Sequence, residues 1–293
     1  MSLTPAADIP TDAELVAALV AAQHPDLAGP LRLVSDGWDN QLYRLGDDHA
    51  VRIPRREVAA HLIEHEQQML PGIAARVRAR VPVPIRVGVP SAAFPFPWSI
   101  VDWIDGVDGA SVTAAERSEL AEPLAEFVAE LAVPTPDAPR NPVRGVPLRT
   151  RAEVVGTRLR SLSGRMEVAA LEQAWREALA APEWEGPPLL LHGDLHPGNL
   201  LLTSSSGLAA VLDFGDVTSG DPATDLATAW LTFDGEARER FRAALPTPPD
   251  AATWRRARGW AVTMGSALAT SSDDNPRMSA LARHTLDQIG DED

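Results

Sequence analysis

The chain reads as an α+β protein, with a small antiparallel sheet in its N-terminal third and a mainly helical remainder. Three observations predict this. Positions 31–54 hold short apolar runs parted by turn residues, the pattern of adjacent antiparallel strands. Beyond Gly106 the apolar spacing turns helical for most of the chain. Residues 189–216, LLLHGDLHPGNLLLTSSSGLAAVLDFGD, interrupt the helices with three apolar runs around polar turns. We expect two lobes, residues 1–105 and 106–293.

Composition narrows the function classes. At 293 residues there is ample material for a core. A formal net charge of −15 argues against a general nucleic-acid binder. It suits a cationic substrate, although acidity also serves solubility alone. The absence of cysteine removes disulfides, thiolate chemistry and Cys-based zinc sites. All 26 basic residues are arginine, which we read as coding bias. Leu15–Ala22 is apolar but too short to span a bilayer, and no basic residue precedes Arg32. The expectation is a soluble, cytoplasmic protein that engages neither membrane nor nucleic acid.

Residues 1–10 read as a loose leader. Thr11 with Glu14 forms a capping-box pattern ahead of a helix to about Gln23. Strands are expected at Leu31–Ser35, Gln41–Leu45 and Ala50–Pro54, with Gly46-Asp47-Asp48 as a hairpin turn. A helix over Glu57–Leu70 precedes strands at Ile85–Val89 and Trp98–Ile104, which Asp105-Gly106 ends. Thr113 and Glu116 form a second capping box, opening a helix to about Leu131. Five prolines between positions 133 and 148 mark a loop. Helical segments near 150–162 and 165–181 lead into the 189–216 stretch. Asp221 and Asp225 then open a helix to about Phe233, and helices near 235–245, 251–270 and 276–289 follow.

In that stretch Leu189–Leu191 feeds a polar turn, His192–Asn199, and Leu200–Leu202 leaves it. Ser204–Gly207 signals a loop, and Ala209–Leu212 ends on Asp213. Gly193, Pro197 and Gly198 rule out a helix across the turn, so His192 and His196 cannot share a helical face as a metal pair. Asp194, Asn199 and Asp213 lie at strand ends, where they can converge. Two carboxylates and an amide suit Mg²⁺, which takes one or two carboxylates plus substrate phosphates. The spacing matches the phosphoryl-transfer pattern of a catalytic Asp, an Asn five residues on and a metal-binding Asp at a later strand end. Between Asp213 and Asp225 there is no room for the long activation segment of a protein kinase, which favours a small-molecule acceptor.

The motifs HGDLHPGN, LDFGD and GDPATDLA, with SDGWDNQLYRL and AVRIPRR upstream, resemble the aminoglycoside phosphotransferase family. These are kinase-like small-molecule phosphotransferases related to choline and macrolide kinases. The resemblance implies a bilobal protein-kinase-like fold. It also implies transfer of the γ-phosphate of ATP or GTP, with Mg²⁺, to a hydroxyl of an aminoglycoside-, macrolide- or metabolite-type acceptor. By resemblance Asp194 positions the hydroxyl and accepts its proton, while Asn199 and Asp213 hold Mg²⁺. The loop bearing Gly37 and Asn40 covers the phosphates, although both residues also suit any hairpin loop.

Where the family's phosphate-binding lysine would sit, this chain has Arg52. A guanidinium suits phosphate with a different geometry, so the role stays at Arg52, moves to Arg55 or Arg56, or weakens. Glu66 falls where the family's glutamate holds that cation; the plain alternative is a solvated charge. The backbone near Asp102 and Ile104 is the implied hinge that binds the adenine edge. His192 supports the turn, and His196 approaches phosphate or acceptor. Asp225 braces the catalytic loop or caps its helix. Asp273 and Asp274 are candidates for a substrate amine, or helix caps. Two rival readings are a nucleotide-binding pseudokinase, which the arginine at 52 keeps open, and a zinc peptidase. The latter rests on His61-Leu62-Ile63-Glu64-His65, a match to H-x-x-E-H that comes cheaply in a histidine-bearing helix.

Overall fold

Tyr43 and Leu45, Val51 and Ile53, Trp98 and Ile100 are alternate residues of three strands, and all six are buried in one cluster. Period-two alternation puts them on one face of a sheet. In the computed structural model, which describes residues 6–291, that sheet has five antiparallel strands: β1 (Leu31–Asp36), β2 (Asn40–Leu45), β3 (His49–Pro54), β4 (Pro84–Gly88) and β5 (Trp98–Asp102), in the order β1-β2-β3-β5-β4. Residues 1–5 of the expected leader lie outside the described residues. Helix α1 (Ala13–Gln23) lays Val16, Leu19 and Val20 into the same cluster. Leu42, Arg52 and Ser99, in one register row, take the opposite face, where α2 (Glu57–Ala74) runs and Gln67 donates to Ser99 Oγ at 3.0 Å.

Several expected boundaries move, three of them for a clear physical reason. The cap of α1 is Asp12, not Thr11: the Asp12 carboxylate accepts from the Leu15 amide, while the Thr11 hydroxyl donates to the buried Gln41 side chain. Helix α2 continues through Pro71 to Ala74, because Leu70 and Ile73 on either side of it are buried in the second core. The helix expected over 113–131 splits into α3 (Ala114–Arg117) and α4 (Ala121–Leu131), with a 3₁₀ turn at Ser118–Leu120. The Thr113–Glu116 capping box forms, but Pro123 has no N–H for the carbonyl four residues back, so the α pattern tightens upstream of it. Strand β5 also stops at Asp102, two residues short of the expected end.

The second core is helical. It gathers Phe127 of α4, Trp175 of α6 (Ala169–Ala180), Phe214, Trp230 and Trp260, with α5 (Ala152–Leu162) contributing Leu159. A short β6 (Val107–Asp108) pairs with β8 (Leu200–Leu202), which pairs with β9 (Leu208–Val211) across the Ser204–Gly207 loop. Strand β7 (Leu189–Leu191) pairs instead with β10 (Thr218–Gly220). The helix expected from Asp221 to Phe233 is two pieces, α7 (Ala223–Leu226) and α8 (Thr228–Thr232). After α9 (Gly235–Ala244), α10 (Ala251–Ser271) lies against α5, α6 and α11 (Pro276–Gly290). Among the described residues no helix is long and apolar enough to cross a membrane.

Candidate active site

The polar turn between β7 and β8 is held from beneath by one carboxylate. Asp225, buried in the first turn of α7, accepts the amides of His192 at 2.7 Å and Gly193 at 2.9 Å. Its side chain is therefore committed to the turn and caps no helix. Gly193 has φ 87°, and a Cβ there would stand 2.3 Å from the Asp216 carbonyl oxygen, so the turn needs glycine. The buried His192 ring donates from Nε2 to the Leu212 carbonyl at 2.9 Å and accepts the Asp194 amide at Nδ1. These bonds fix the backbone on both sides of Asp194. The Asn199 side chain closes the turn, donating Nδ2 to the Asp194 carbonyl at 2.8 Å.

The second strand end is tied to the first. The Leu212 amide donates to the Asn199 carbonyl at 2.8 Å, and Asp213 follows in the left-handed region at φ 59°. An Asp tolerates that conformation better than most residues, at roughly 1 kcal/mol. Phe214 anchors the turn in the core, its ring 4.6 Å from that of His192. From the sheet side, Arg52 Nε donates to Glu66 Oε2 at 2.7 Å and Nη2 to Asp213 Oδ1 at 2.5 Å. Glu66 is buried behind Arg52 and is not a solvated surface charge. Arg55 and Arg56 do something else. Arg55 donates to the Gly37 carbonyl at 2.7 Å and pairs with Asp36, and Arg56 pairs with Asp39, so both hold the β1–β2 loop in place.

These elements enclose one cavity of about 260 Å³, lined by Asp194, Asn199, Asp213 and Arg52 below and by Gly37, Trp38 and Asn40 of the loop above. Among the described residues no hydrogen bond reaches Asn199 Oδ1 or Asp213 Oδ2. Asn199 and Asp213 both line this polar cavity, and a carboxylate with an amide oxygen is a donor set that Mg²⁺ takes before completing its shell with phosphates and water. No group of three or more His, Cys, Asp or Glu among the described residues could cage a metal. His61 and His65 merely stack edge to face at 5.2 Å.

Electrostatics around Asp194 reveal residues that sequence reading missed. Arg144, in the proline-rich loop, donates to Asp194 Oδ1 at 2.8 Å. His196 Nε2 lies 3.4 Å from Asp194 Oδ2, its Nδ1 accepting the Gly198 amide. Burial raises the Asp194 pKa, but Arg144 and His196 outweigh it and hold the carboxyl well below its ordinary range. His196 is raised in turn, the Asp194 charge overcoming burial. Asp216 accepts from Asn141 Nδ2 at 2.7 Å, and burial together with the Asp194 charge pushes it up. Glu66 is pushed up to about 7, by burial first and against the pull of Arg52.

The profile of the phosphotransferase enzyme family matches residues 30–260. The chain belongs to this family. Its enzymatic class is accordingly that of small-molecule kinases. No curated protein sequence matches it. Among solved structures, the GDP complex of wild-type aminoglycoside 2'-phosphotransferase-IIIa superposes with a TM-score of 0.72 at 18% identity, covering 95% of this chain and 99% of that one. Macrolide 2'-phosphotransferase MphH from Brachybacterium faecium, as apoenzyme, gives 0.61 at 21% identity over 93% and 98%. The streptomycin–ATP ternary complex of APH(2")-IIa gives 0.60 at 18% identity over 94% and 95%. The bilobal kinase-like fold expected from the motifs is thus the fold of this phosphotransferase.

Not every expected residue of the phosphotransferase site meets the others. Asp273 ion-pairs with Arg165 at 2.7 Å on the surface, and neither it nor Asp274 lines the cavity. The cap of α11 is Asn275, so capping does not explain them either. At the expected hinge, the Trp103 amide donates to the Asp48 carbonyl at 2.7 Å. The amide of Ile104 makes no hydrogen bond among the described residues. The Asp102 carboxylate lies 3.4 Å from His49 Nδ1.

Proposed function

We propose that this phosphotransferase moves the γ-phosphate of ATP or GTP to a hydroxyl of a small acceptor of aminoglycoside, macrolide or metabolite type. One observation carries the reading: Asp194, Asn199, Asp213 and Arg52 line a single cavity beneath the Gly37–Asn40 loop. The neighbours crystallised with GDP and with ATP support a purine nucleotide as donor. The nucleotide base would lie along the hinge, reading the backbone at Asp102 and Ile104, and its phosphates would reach Arg52 under the loop. Glu66 keeps Arg52 in that position. Asn199 and Asp213 would hold Mg²⁺, which neutralises charge on the phosphates. Asp194, kept ionised by Arg144 and His196, receives the acceptor hydroxyl and takes its proton. Because the transition state for phosphoryl transfer is loose, orientation of that hydroxyl matters more than the basicity of Asp194. His192 and Asp225 hold the turn that carries it.

The test separates the two halves of the site. Asp194→Asn should bind ADP–Mg²⁺ as the wild type does and lose about 100-fold or more in turnover. Asp213→Ala should lose the Mg²⁺-dependent part of nucleotide affinity. Full turnover in the first variant, or unchanged metal dependence in the second, contradicts the assignment.

A further inference from the structure

We infer that Arg144 is a positioning residue for the transfer: it ties down one oxygen of the Asp194 carboxylate, Oδ1, and leaves Oδ2 as the oxygen that meets the hydroxyl. The inference rests on the phosphotransfer reading for that hydroxyl, whereas the orientation of the carboxylate concerns this chain alone.

The two oxygens of Asp194 are held unequally. Arg144 Nη2 donates to Oδ1 at 2.8 Å, the length of a charge-assisted bond. Oδ2 has only His196 Nε2, at 3.4 Å, outside the roughly 2.7–3.2 Å of a well-formed N–H···O bond. Asp194 and His196 line the catalytic cavity, and Arg144 does not; it approaches from the neighbouring cavity under the proline-rich loop. The tied oxygen is therefore the one turned toward that loop, and the other is left for the reacting group.

A built turn delivers the guanidinium. Asn141 Oδ1 accepts the amides of Val143 at 2.9 Å and Arg144 at 3.1 Å, and its Nδ2 donates to Asp216 at 2.7 Å. One side chain thus sets the backbone of Arg144, as in an Asx turn. Upstream, the Thr218 hydroxyl donates to the Pro139 carbonyl at 2.9 Å. Downstream, the Gly145 carbonyl accepts the Asp221 amide at 3.2 Å, and a Cβ on Gly220 would lie 2.0 Å from that carbonyl oxygen. Thr218 and Gly220 belong to β10, which pairs with β7, the strand that leads into the Asp194 turn. Both partners of the Arg144–Asp194 pair are thus fastened to one ladder.

Stability does not account for this arrangement. The Arg144 side chain is 19% exposed, its Nε is buried without a partner, and its guanidinium makes one hydrogen bond. Such a cation is a poor stabiliser, because desolvation cancels most of the attraction. Orientation of the reacting carboxylate is a sufficient reason, since a misplacement of about 1 Å can cost about 100-fold in rate.

The experiment follows hydrolysis of ATP–Mg²⁺ and GTP–Mg²⁺, with water as the simplest acceptor. The water oxygen bonds to the γ-phosphorus as the bond to the β–γ bridging oxygen breaks. The nucleoside diphosphate leaves, and the water proton passes to Asp194 Oδ2. Arg144→Ala should lower kcat by about 10- to 100-fold with KM for nucleotide within about twofold, at an unchanged melting temperature. Guanidinium chloride far below denaturing concentrations should recover most of the lost rate, and urea, a neutral molecule of similar shape, should not. Crystal structures of Arg144→Ala decide the geometry separately: the Asp194 carboxylate should be rotated without guanidinium and restored with it. Should the alanine variant fail to fold, Arg144→Gln replaces it, with the same loss of kcat expected. Turnover at or above the wild-type rate in the variant overturns the inference. So does a loss that guanidinium does not recover, a loss carried by KM, or a carboxylate that keeps its orientation without Arg144. Asp194→Asn hydrolysing at the wild-type rate contradicts the phosphotransfer reading instead. In that case, or if neither nucleotide is hydrolysed, the crystal structures decide whether Arg144 sets the carboxylate.

Discussion

Arg52→Met removes a cation that two unequal carboxylates share. Nε serves Glu66, whose side chain is 3% exposed, and Nη2 serves Asp213, which is 48% exposed. Asp213, once released, turns to water, so its share of the loss is at most about 1 kcal/mol. Glu66 cannot. Breaking one half of a buried pair costs about 3–5 kcal/mol, because the survivor is left charged in a poor solvent. Glu66 escapes part of this by taking a proton, since burial already raises its pKa to about 7 against an ordinary 4.5. The folded form then binds more protons than the unfolded form through this window, and stability drains away as pH rises through the folded pKa. We therefore expect Arg52→Met to lower the unfolding free energy by about 3 kcal/mol at pH 8 and by less at pH 6. Urea denaturation at the two pH values measures this. Arg52→Met combined with Glu66→Leu, which replaces the pair by apolar groups, should recover most of the loss. A single variant within 1 kcal/mol of the wild type at pH 8, or a double variant no more stable than the single, refutes the reasoning.

Two further perturbations test the scaffold. Asp225→Ala strands the buried amides of His192 and Gly193. It should cost about 2–4 kcal/mol and speed amide exchange across residues 192–194; unaltered exchange there contradicts the bracing role. His284 is held at about 4 by burial first and by the Arg117 charge second, against an ordinary value of 6.5, and its Nε2 is buried without a partner. Between those values the unfolded chain binds the extra proton, so stability should fall as pH drops from about 6.5 to 4, by up to roughly 3 kcal/mol. His284→Gln should flatten that slope in urea or thermal melts, and a variant with the wild-type slope shows that other groups are responsible.

Local physics made much of this molecule readable beforehand. Apolar runs parted by turn residues located the three N-terminal strands to within a residue, and in β2 alternate residues are the buried ones, as a sheet with one buried face requires. Glycine and proline exposed the His192–Asn199 turn, since Gly193 and Pro197 forbid continuous helix. What escaped was decided at long range. Thr11 and Asp12 are both good caps, and only the Gln41 side chain, 30 positions on, settles which one serves. Pro71 and Pro123 look alike in sequence, yet burial carries the helix past the first and the second tightens the turn before it. The Arg144–Asp194 pair spans 50 positions, and nothing local distinguishes Arg144 among 26 arginines. Asp216 stood in LDFGD all along, but its link to Asn141 depends on how the proline-rich loop folds back.

Helix α2 is fastened at both ends to different bodies. Ala60 packs against the sheet cluster, whereas Leu70 and Ile73 are embedded in the helical core. A rod clamped in this way tilts but does not slide. The natural pivot for any clamshell opening is therefore its C-terminal half, and amplitude grows with distance from it. Glu66, one turn from the clamp, travels little; the Gly37–Asn40 tip, at the far end of the lever, travels most. On the proposed reading, such an opening would admit nucleotide while the anchor of Arg52 stays almost still.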